Sequence, residues 1–235
     1  MTDAEPATRR ALRRAETEAE IKALAWDALR ESGPHGLSLR DVARQMGMAP
    51  SALYRYFPSR TELLDQLILD AFESIGEEVT RAYDHGMRAE ADPFETFVLI
   101  AHAYRAWAHS HRAEYALIFS TALAEHDDAH KTSAAALRSF GVLQRVTADA
   151  VEAGMFDLSR IERLLPAALH TALQGMADEQ GVPAASLVAG YWCYTTMHGA
   201  ISLELNGHLP PPVLDTSAEY FESAIRAMLE QIGVQ

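Results

Sequence analysis

The sequence predicts an all-α protein, and three observations support this fold class. Apolar residues recur with the 3.6-residue period of a helix along most of the chain. Sustained period-2 alternation and the Asn-Gly or Asp-Gly turns of hairpins are missing. Glycines at positions 86, 154, 181 and 207 fall where periodic runs stop, and we expect them to be helix C-caps.

The periodic runs divide the chain into long and short helices. Long helices are predicted near residues 8–32, 60–85, 93–111, 131–153, 160–180, 184–206 and 217–233. Shorter helices are predicted near 39–46, 50–56 and 112–122. Two stretches, Phe94 to Ala108 and Leu187 to Leu205, are apolar nearly all round. Such helices lie in the middle of a bundle, at a subunit interface, or in the wall of a cavity.

The composition excludes several protein classes. Of 235 residues, 49% are hydrophobic and 23% charged, which suits a packed core and argues against disorder. Cys193 is the only cysteine, so a disulfide scaffold is excluded and a reducing cytoplasm is expected. The N-terminus lacks an apolar signal sequence, and no apolar run is long enough to cross a membrane. We therefore expect a cytoplasmic protein without membrane contacts.

Charge is distributed unevenly between a short head and a long body. Residues 1–60 contain ten Lys/Arg and eight Asp/Glu, whereas residues 61–235 contain ten and 25. Only residues 1–60 are suited to approach a polyanion. A chance distribution of charges over solvent-exposed faces explains the difference in charge between the two segments as well. We predict two domains, 1–60 and 61–235.

Residues 38–64 have the pattern of a helix-turn-helix. Ser38, followed three residues later by Asp41, can cap a short helix, and Gly47 permits a tight turn. Pro50 suits the first position of the next helix. Ser59 can cap the long helix that follows. Two short helices joined by a glycine turn form a DNA-binding motif.

This segment resembles the TetR family of transcriptional regulators over about residues 17–77. The resemblance depends on residues in the spacing of the family: Ala43, Gly47, Leu53, Tyr54, Tyr56, Phe57 and the run Ser59 to Leu64. It implies that the helix from Pro50 to Tyr56 lies in the major groove of a palindromic operator.

The resemblance also implies a role for each matching residue. Base edges would be read by Ser51, Ala52 and Arg55, and the DNA backbone contacted by Tyr54, Tyr56, Arg60, Ser38 and Arg40. The chain departs from the family pattern at Ala49 and Ala52, which lack the usual hydroxyl. Base readout therefore depends more on Arg55 and on apolar contacts with thymine methyl groups.

Other interpretations of this region remain open. Tyr54 and Phe57 also suit the core of the small domain. The arginines at positions 9, 10, 13 and 14 can form an arm that reaches the DNA, and a solvated basic run explains them equally well.

A second resemblance begins at Tyr194. The run from Tyr194 through His198 and Gly199 to Leu209 is similar to the WHG class of TetR ligand-binding domains, with Tyr194 where that class usually has tryptophan. It implies a homodimer in which the helices near 184–206 and 217–233 pair with their copies as a four-helix bundle. Gly199 would let another helix approach closely.

Aromatic and sulfur-containing side chains are frequent in the central helices, where they suit either a core or an effector cavity. We predict a small, mainly apolar effector and a cavity bordered by Tyr104, Trp107, Phe119, Trp192 and His198. His198 itself suits a hydrogen-bonded buried histidine better than a metal ligand.

A metalloenzyme and a helical interaction protein are the alternatives to a regulator. His126 and His130 have the spacing of a helical zinc pair, with His109 and His111 also near in sequence. No HExxH, P-loop, nucleophile elbow or GxGxxG pattern supports catalysis. We therefore predict a sequence-specific DNA-binding regulator, a repressor released by its effector, that is not an enzyme and needs no cofactor or metal.

Overall fold

A computed structural model describes residues 5–119 and 129–233, with side chains for 9–33, 36–119 and 141–233. Within these ranges the regular secondary structure is helical, apart from one isolated bridge between Phe156 and Gly233, so the predicted all-α class is confirmed. No helix in the described part of the chain is both long and apolar enough to span a bilayer.

The helices follow one another closely along the chain. The N-terminal helices are α1 Glu5–Gly36, α2 Leu39–Gln45, α3 Pro50–Leu53 and α4 Arg60–Arg88. The central helices are α5 Pro93–Ser110, α6 Arg112–Phe119, α7 Ala129–Glu152, α8 Leu158–Leu164 and α9 Ala167–Gln180. The last helices are α10 Ala184–Leu205, α11 Pro211–Leu214 and α12 Ser217–Ile232.

The first of two compact units contains the helix-turn-helix. It takes in the described residues up to Phe72 and those between His111 and Ala135. Lys22 of α1 forms a 2.7 Å ion pair with Asp70 of α4, and Arg30 of α1 lies 3.2 Å from Glu114 of α6. These contacts tie the first turns of α4 to the rest of this unit, which ends after Phe72. The domain boundary at residue 60 stays a prediction.

The second unit contains Glu73–Ser110 and the described residues from Ala136 onward. Helix α10 lies at its centre and packs against α5, α8, α9 and α12. Its buried residues include Met197 and Ile201, which explains why this helix is apolar nearly all round. Arg105 of α5 donates two hydrogen bonds to the carboxylate of Glu204 of α10, at 2.9 and 2.5 Å, and so ties the two helices together.

Most of the predicted helix boundaries are confirmed. The hydroxyl oxygens of Ser38 and Ser59 accept hydrogen bonds from the backbone N–H groups of Asp41 and Glu62, at 3.4 and 3.0 Å. The glycines at 154, 181 and 207 adopt positive φ where helices end. In α1 the backbone leaves helical geometry at Gly33, where an end was predicted.

Three details of the predicted helix pattern are wrong. Gly86 does not cap a helix but lies inside α4, where an added Cβ would come within 2.6 Å of Thr96. The helix predicted near 160–180 is two helices, because Pro166 has no N–H to donate. The helix predicted over 50–56 ends at Leu53 and is followed by a turn over residues 54–56, and Pro58 disfavours α geometry at the residue before it.

Candidate nucleic-acid interface and ligand cavity

The exposed side of α2 and α3 presents most of the residues predicted to contact DNA. Arg40, Ser51 and Arg55 are exposed, and Ser38 and Ala52 are partly buried. Apolar residues on the opposite sides of these helices, Val42 and Leu53, are buried. The helix-turn-helix therefore directs its polar side chains away from its own core.

The segment after α3 is a turn stabilised by short-range backbone hydrogen bonds. The N–H groups of Arg55 and Tyr56 donate to the carbonyls of Ala52 and Leu53, at 3.3 and 2.8 Å. Tyr54 is 41% exposed, whereas Phe57 is buried. Of the two residues that also suited the core, only Phe57 lies there.

Arg60, at the start of α4, contributes to the fold of the first unit. Its Nε donates a 3.1 Å hydrogen bond to the carbonyl of Leu37, which connects α4 with the segment before α2. A phosphate contact by the same guanidinium stays a prediction, and any substitution of Arg60 also removes this bond.

The N-terminal part of α1 extends beyond the buried core of its unit. Residues 9–16 are exposed and Ile21 is the first buried residue described, so about 18 Å of helix precede the core. The guanidinium of Arg14 lies 5.2 Å from the ring centre of Tyr56. A basic concave surface results, lined by Arg9, Arg10, Arg13, Arg14, Thr17, Arg55 and Tyr56. The four N-terminal arginines thus share one surface with the helix-turn-helix.

Two of the residues predicted to border the effector cavity contact each other in the second unit. The hydroxyl of Tyr104 lies 3.1 Å from Nδ1 of His198, and burial lowers the pKa of this histidine. Trp107 is buried and its indole N–H donates a 3.0 Å hydrogen bond to Ser74 of α4. Tyr104 and Trp107 therefore belong to the core of this unit.

The other two predicted residues, Phe119 and Trp192, take no part in the contact between Tyr104 and His198. Phe119 belongs to the first unit, where its ring lies 4.8 Å from that of Tyr115. Trp192 is partly buried on α10. That these residues bind an effector stays a prediction.

A largely apolar cavity of about 450 Å³ lies in the second unit, between α7, the turn before α10, and α10 itself. None of the five predicted effector residues lines it. Its lining comprises Leu143, Gln144, Thr147, Ala148, Val151, Glu152, Gln180, Gly181, Val182, Pro183, Ser186, Leu187, Gly190, Tyr191 and Tyr194. Its size falls within the range of small-molecule sites.

The polar groups of the cavity are few. The hydroxyl of Thr147 donates a 2.7 Å hydrogen bond to the carbonyl of Leu143 in its own helix. Ser186 also belongs to the lining, but its Oγ is itself buried and has no hydrogen-bond partner among the described residues. Tyr194, in the lining, stacks on the ring of His198 at 5.4 Å.

Periodicity alone could not identify this cavity. The one signal was that α10 is apolar nearly all round, which left a cavity wall as one interpretation of three. Which residues face each other depends on how α7 packs against α10, where Thr147 lies opposite Gly190 at 3.5 Å from an added Cβ. The hydrophobic periodicity of a single sequence shows which face of a helix is buried, but not which helix packs against that face.

The histidines considered for a metal site are described only in part, and those that are described belong to no metal-binding cluster. His109 lies 3.1 Å from the carboxylate of Glu204. Among the described residues no cluster of three or more His, Cys, Asp or Glu side chains is suited to a metal ion. His126 and the side chain of His130 lie outside the described residues.

A helix-turn-helix that exposes Ser51 on its second helix and Arg55 in the turn after it, beside a basic surface, is typical of a DNA-binding protein. Residues 21–67 match the sequence profile of bacterial regulatory proteins of the tetR family, and residues 97–228 match that of the tetracyclin repressor-like C-terminal domain. The chain belongs to the TetR family of transcriptional regulators, which bind DNA and dimerise.

Individual relatives support this assignment. The HTH-type transcriptional regulator Rv1816 of Mycobacterium tuberculosis is 31% identical over 220 residues, or 92% of each chain. The repressor DrrR1 of Streptomyces coeruleorubidus is 44% identical over 69 residues, which cover 28% of this chain and 25% of DrrR1. The crystal structure of SCO4313 superimposes with a TM-score of 0.76 at 29% identity, covering 94% of this chain and 98% of that one.

Proposed function

We propose that the chain is a transcriptional repressor that binds a palindromic operator as a homodimer and is released by a small, mainly apolar effector. The observation that carries the proposal is the exposed row on α3 and the turn after it, where Ser51 and Arg55 point away from the buried Leu53. We assign the chain no catalytic role and no cofactor.

Contacts with DNA are divided between base readout and positioning. Arg55 is suited to a bidentate contact with guanine, and Ser51 to a hydrogen bond with a base edge. Ser38, Arg40, Tyr54 and Tyr56 would contact the backbone. The basic surface of α1 would add phosphate contacts beside α3, because its arginines lie on the same surface as Arg55.

The exposed faces of α10 and α12 favour pairing with a second copy. On α10, Thr195, Gly199 and Leu203 recur four residues apart, and an added Cβ at Gly199 would meet nothing of its own chain within 4 Å. On α12, the exposed residues Tyr220, Ser223 and Ala227 are likewise uncharged. Small and apolar residues at the centre of such faces allow helices to approach, as in four-helix bundles.

A repressing rather than activating role is supported by one relative. DrrR1 is named as a repressor, and its similarity to this chain covers 69 residues. A dimer that covers an operator excludes other proteins from it until an effector lowers its affinity. Release requires that the effector bind the DNA-free arrangement more tightly than the DNA-bound one.

Capture of bound DNA across the genome tests the proposal. We expect a small set of sites with two-fold symmetry, each shifted by the purified protein in a gel assay, and transcription from the adjacent genes rising when the gene for this chain is deleted. Transcription that falls at every bound site on deletion would contradict the repressor role. Failure to bind any DNA fragment would contradict the proposal as a whole.

A further inference from the structure

Helix α9 carries an exposed apolar stripe beside the face that it buries. Leu169, Ala172 and Met176 recur at helical spacing and are exposed, Leu169 and Met176 by 42% and 40%. Between Arg163 and Asp178 the sequence contains no Asp, Glu, Lys or Arg. Contiguous exposed apolar surface of this kind marks an interaction site.

The buried face of α9 holds the helix in a fixed position. Leu173 and Ala177 of α9 pack in one apolar cluster with Val182, Ala184 and Leu187. Because the helix is anchored through this face, its exposed stripe cannot turn inward. Val182 and Leu187 also line the cavity of this unit, so α9 supports one wall of that cavity.

The stripe on α9 continues the uncharged face of α10. The hydroxyl of Tyr191 on α10 donates to Sδ of Met176 at 3.7 Å, and Tyr191 is 47% exposed. Tyr191 lies one turn before Thr195 in the row of Thr195, Gly199 and Leu203 that favours pairing with a second copy. The two helices therefore present one continuous uncharged surface.

Charge determines which kind of partner fits this surface. The chain has a formal net charge of −13, so two copies repel each other unless they meet through uncharged faces. A two-fold interface uses the same surface of both copies, and an uncharged stripe satisfies this condition. Helices that lie on a membrane surface are rich in Lys and Arg, and α9 contains neither. A second copy of the chain is therefore the partner that fits.

The area that a stable dimer needs favours the same partner. Stable interfaces bury about 800 Å² of each subunit. The paired faces of α10 and α12 are centred on Gly199, Ser223 and Ala227, whose side chains are absent or small and add little area. The larger side chains of Leu169 and Met176 add apolar area at the end of that surface.

We propose that α9 is part of the dimer interface, and that the second copy covers Leu169, Ala172 and Met176 together with Tyr191. This contact extends the interface beyond the four-helix bundle of α10 and α12, and it rests on the homodimer proposed above. Because α9 supports Val182 and Leu187, the second copy also holds one wall of the cavity in place.

Oxidation by hydroxyl radicals tests the proposal on the unmodified full-length chain. Met176 and Met87 are both exposed in a single copy, by 40% and 53%, and mass spectrometry follows each methionine separately. Rates are compared at a concentration where sedimentation shows a dimer and at a dilution where the dimer has dissociated. In the dimer Met176 should be oxidised at least about threefold more slowly, because oxidation requires access to the sulfur. Met87, on α4, should be oxidised equally fast in both samples.

Charge substitutions on α9 test the same contact by dissociation. Met176→Glu would place an unpaired carboxylate in the interface, and the dimer dissociation constant should rise by about tenfold or more. Thr171 is exposed on the polar side of α9, so Thr171→Glu is the matched control and should dimerise as the wild type does. Leu169→Glu repeats the test at the other end of the stripe, and it decides if Met176→Glu does not fold.

Two results would overturn the proposal while leaving the homodimer intact. One is an equal dissociation constant in Met176→Glu, Leu169→Glu and Thr171→Glu, and the other is equal oxidation of Met176 in the dimer and the monomer. Either would show that the second copy does not cover α9. A wild-type chain that sediments as a monomer at every concentration would instead contradict the proposed function, because the homodimer is part of it.

Discussion

The hydroxyl of Tyr104 lies 3.1 Å from Nδ1 of His198. The imidazole of His198 also stacks on the ring of Tyr194, with the two ring centres 5.4 Å apart. Helix α5 is thus connected through His198 to Tyr194, one of the residues of α10 that line the cavity. Trp107 of the same helix α5 donates a hydrogen bond to Ser74 of α4. A displacement of Tyr194 can therefore be transmitted to α4 through His198 and helix α5. Only a ligand that favours one arrangement over the other would use it.

The buried position of His198 predicts a pH dependence of stability. Burial holds its pKa below 6.5, so at pH values just under 6.5 the unfolded chain binds a proton that the folded chain does not. The free energy of unfolding should therefore fall as the pH decreases through this range. His198→Gln should flatten that part of the profile, measured by urea unfolding. An identical slope in His198→Gln would contradict the assignment of this proton to His198.

Replacing Arg55 should weaken recognition of the operator without affecting the fold. Arg55→Ala should cost about 1–3 kcal/mol of specific binding if the guanidinium reads a base edge. The exposed Arg163 on α8 supplies a control with the same change of charge. Fluorescence anisotropy with the captured operator and a scrambled sequence gives the specificity ratio. A ratio that stays equal to that of the control variant would show that Arg55 does not read a base.

The arginines of the α1 extension should contribute to the salt dependence of binding. Each arginine that contacts a phosphate accounts for about 0.9 of the slope of log K against log salt. The triple replacement of Arg9, Arg10 and Arg13 by glutamine should flatten that slope for operator and random DNA alike. Arg14 is retained because of its contact with Tyr56.

A charge-matched control for this experiment comes from the second unit. Glutamine at the exposed positions Arg81, Arg88 and Arg163 changes the net charge equally. If both triple variants flatten the slope to the same extent, the effect is one of net charge, and the α1 extension makes no phosphate contacts.

Local signals in the sequence predicted local structure well. The caps at Ser38 and Ser59 and the glycine turns depend on neighbours within a few residues, and the structure confirms them. Features that depend on tertiary packing were missed. Gly86 ends a periodic run, as a cap would, yet its role is to let Thr96 of α5 approach α4. The cavity was missed for the same reason, since Thr147 on α7 is about 40 residues from Ser186 and Gly190 on α10.

The close approach at Gly86 predicts a destabilising substitution. In Gly86→Ala the added Cβ would come within 2.6 Å of Oγ1 and 2.8 Å of Cγ2 of Thr96, so the threonine side chain or the two helices must shift. The expected loss is about 1–3 kcal/mol of unfolding free energy, measured by urea denaturation. In the exposed Gly175→Ala the same change should stabilise α9 by up to about 1 kcal/mol. If Gly86→Ala were as stable as Gly175→Ala, close packing would not explain the glycine.

The exposed face of α10 predicts a substitution that separates the subunits while leaving each one folded. Leu203 is 43% exposed, and in the proposed four-helix bundle it would be buried against the second copy. Leu203→Glu would place an unpaired carboxylate in that interface, which should raise the dimer dissociation constant by more than about tenfold. Leu164, 62% exposed on α8, is the matched control, and Leu164→Glu should leave the dimer intact. Sedimentation velocity at micromolar concentration distinguishes the two states, and circular dichroism checks that both variants remain helical. If Leu203→Glu sediments as a dimer, this face of α10 is not the interface, and the spacing of the two helix-turn-helix units must be set by other residues.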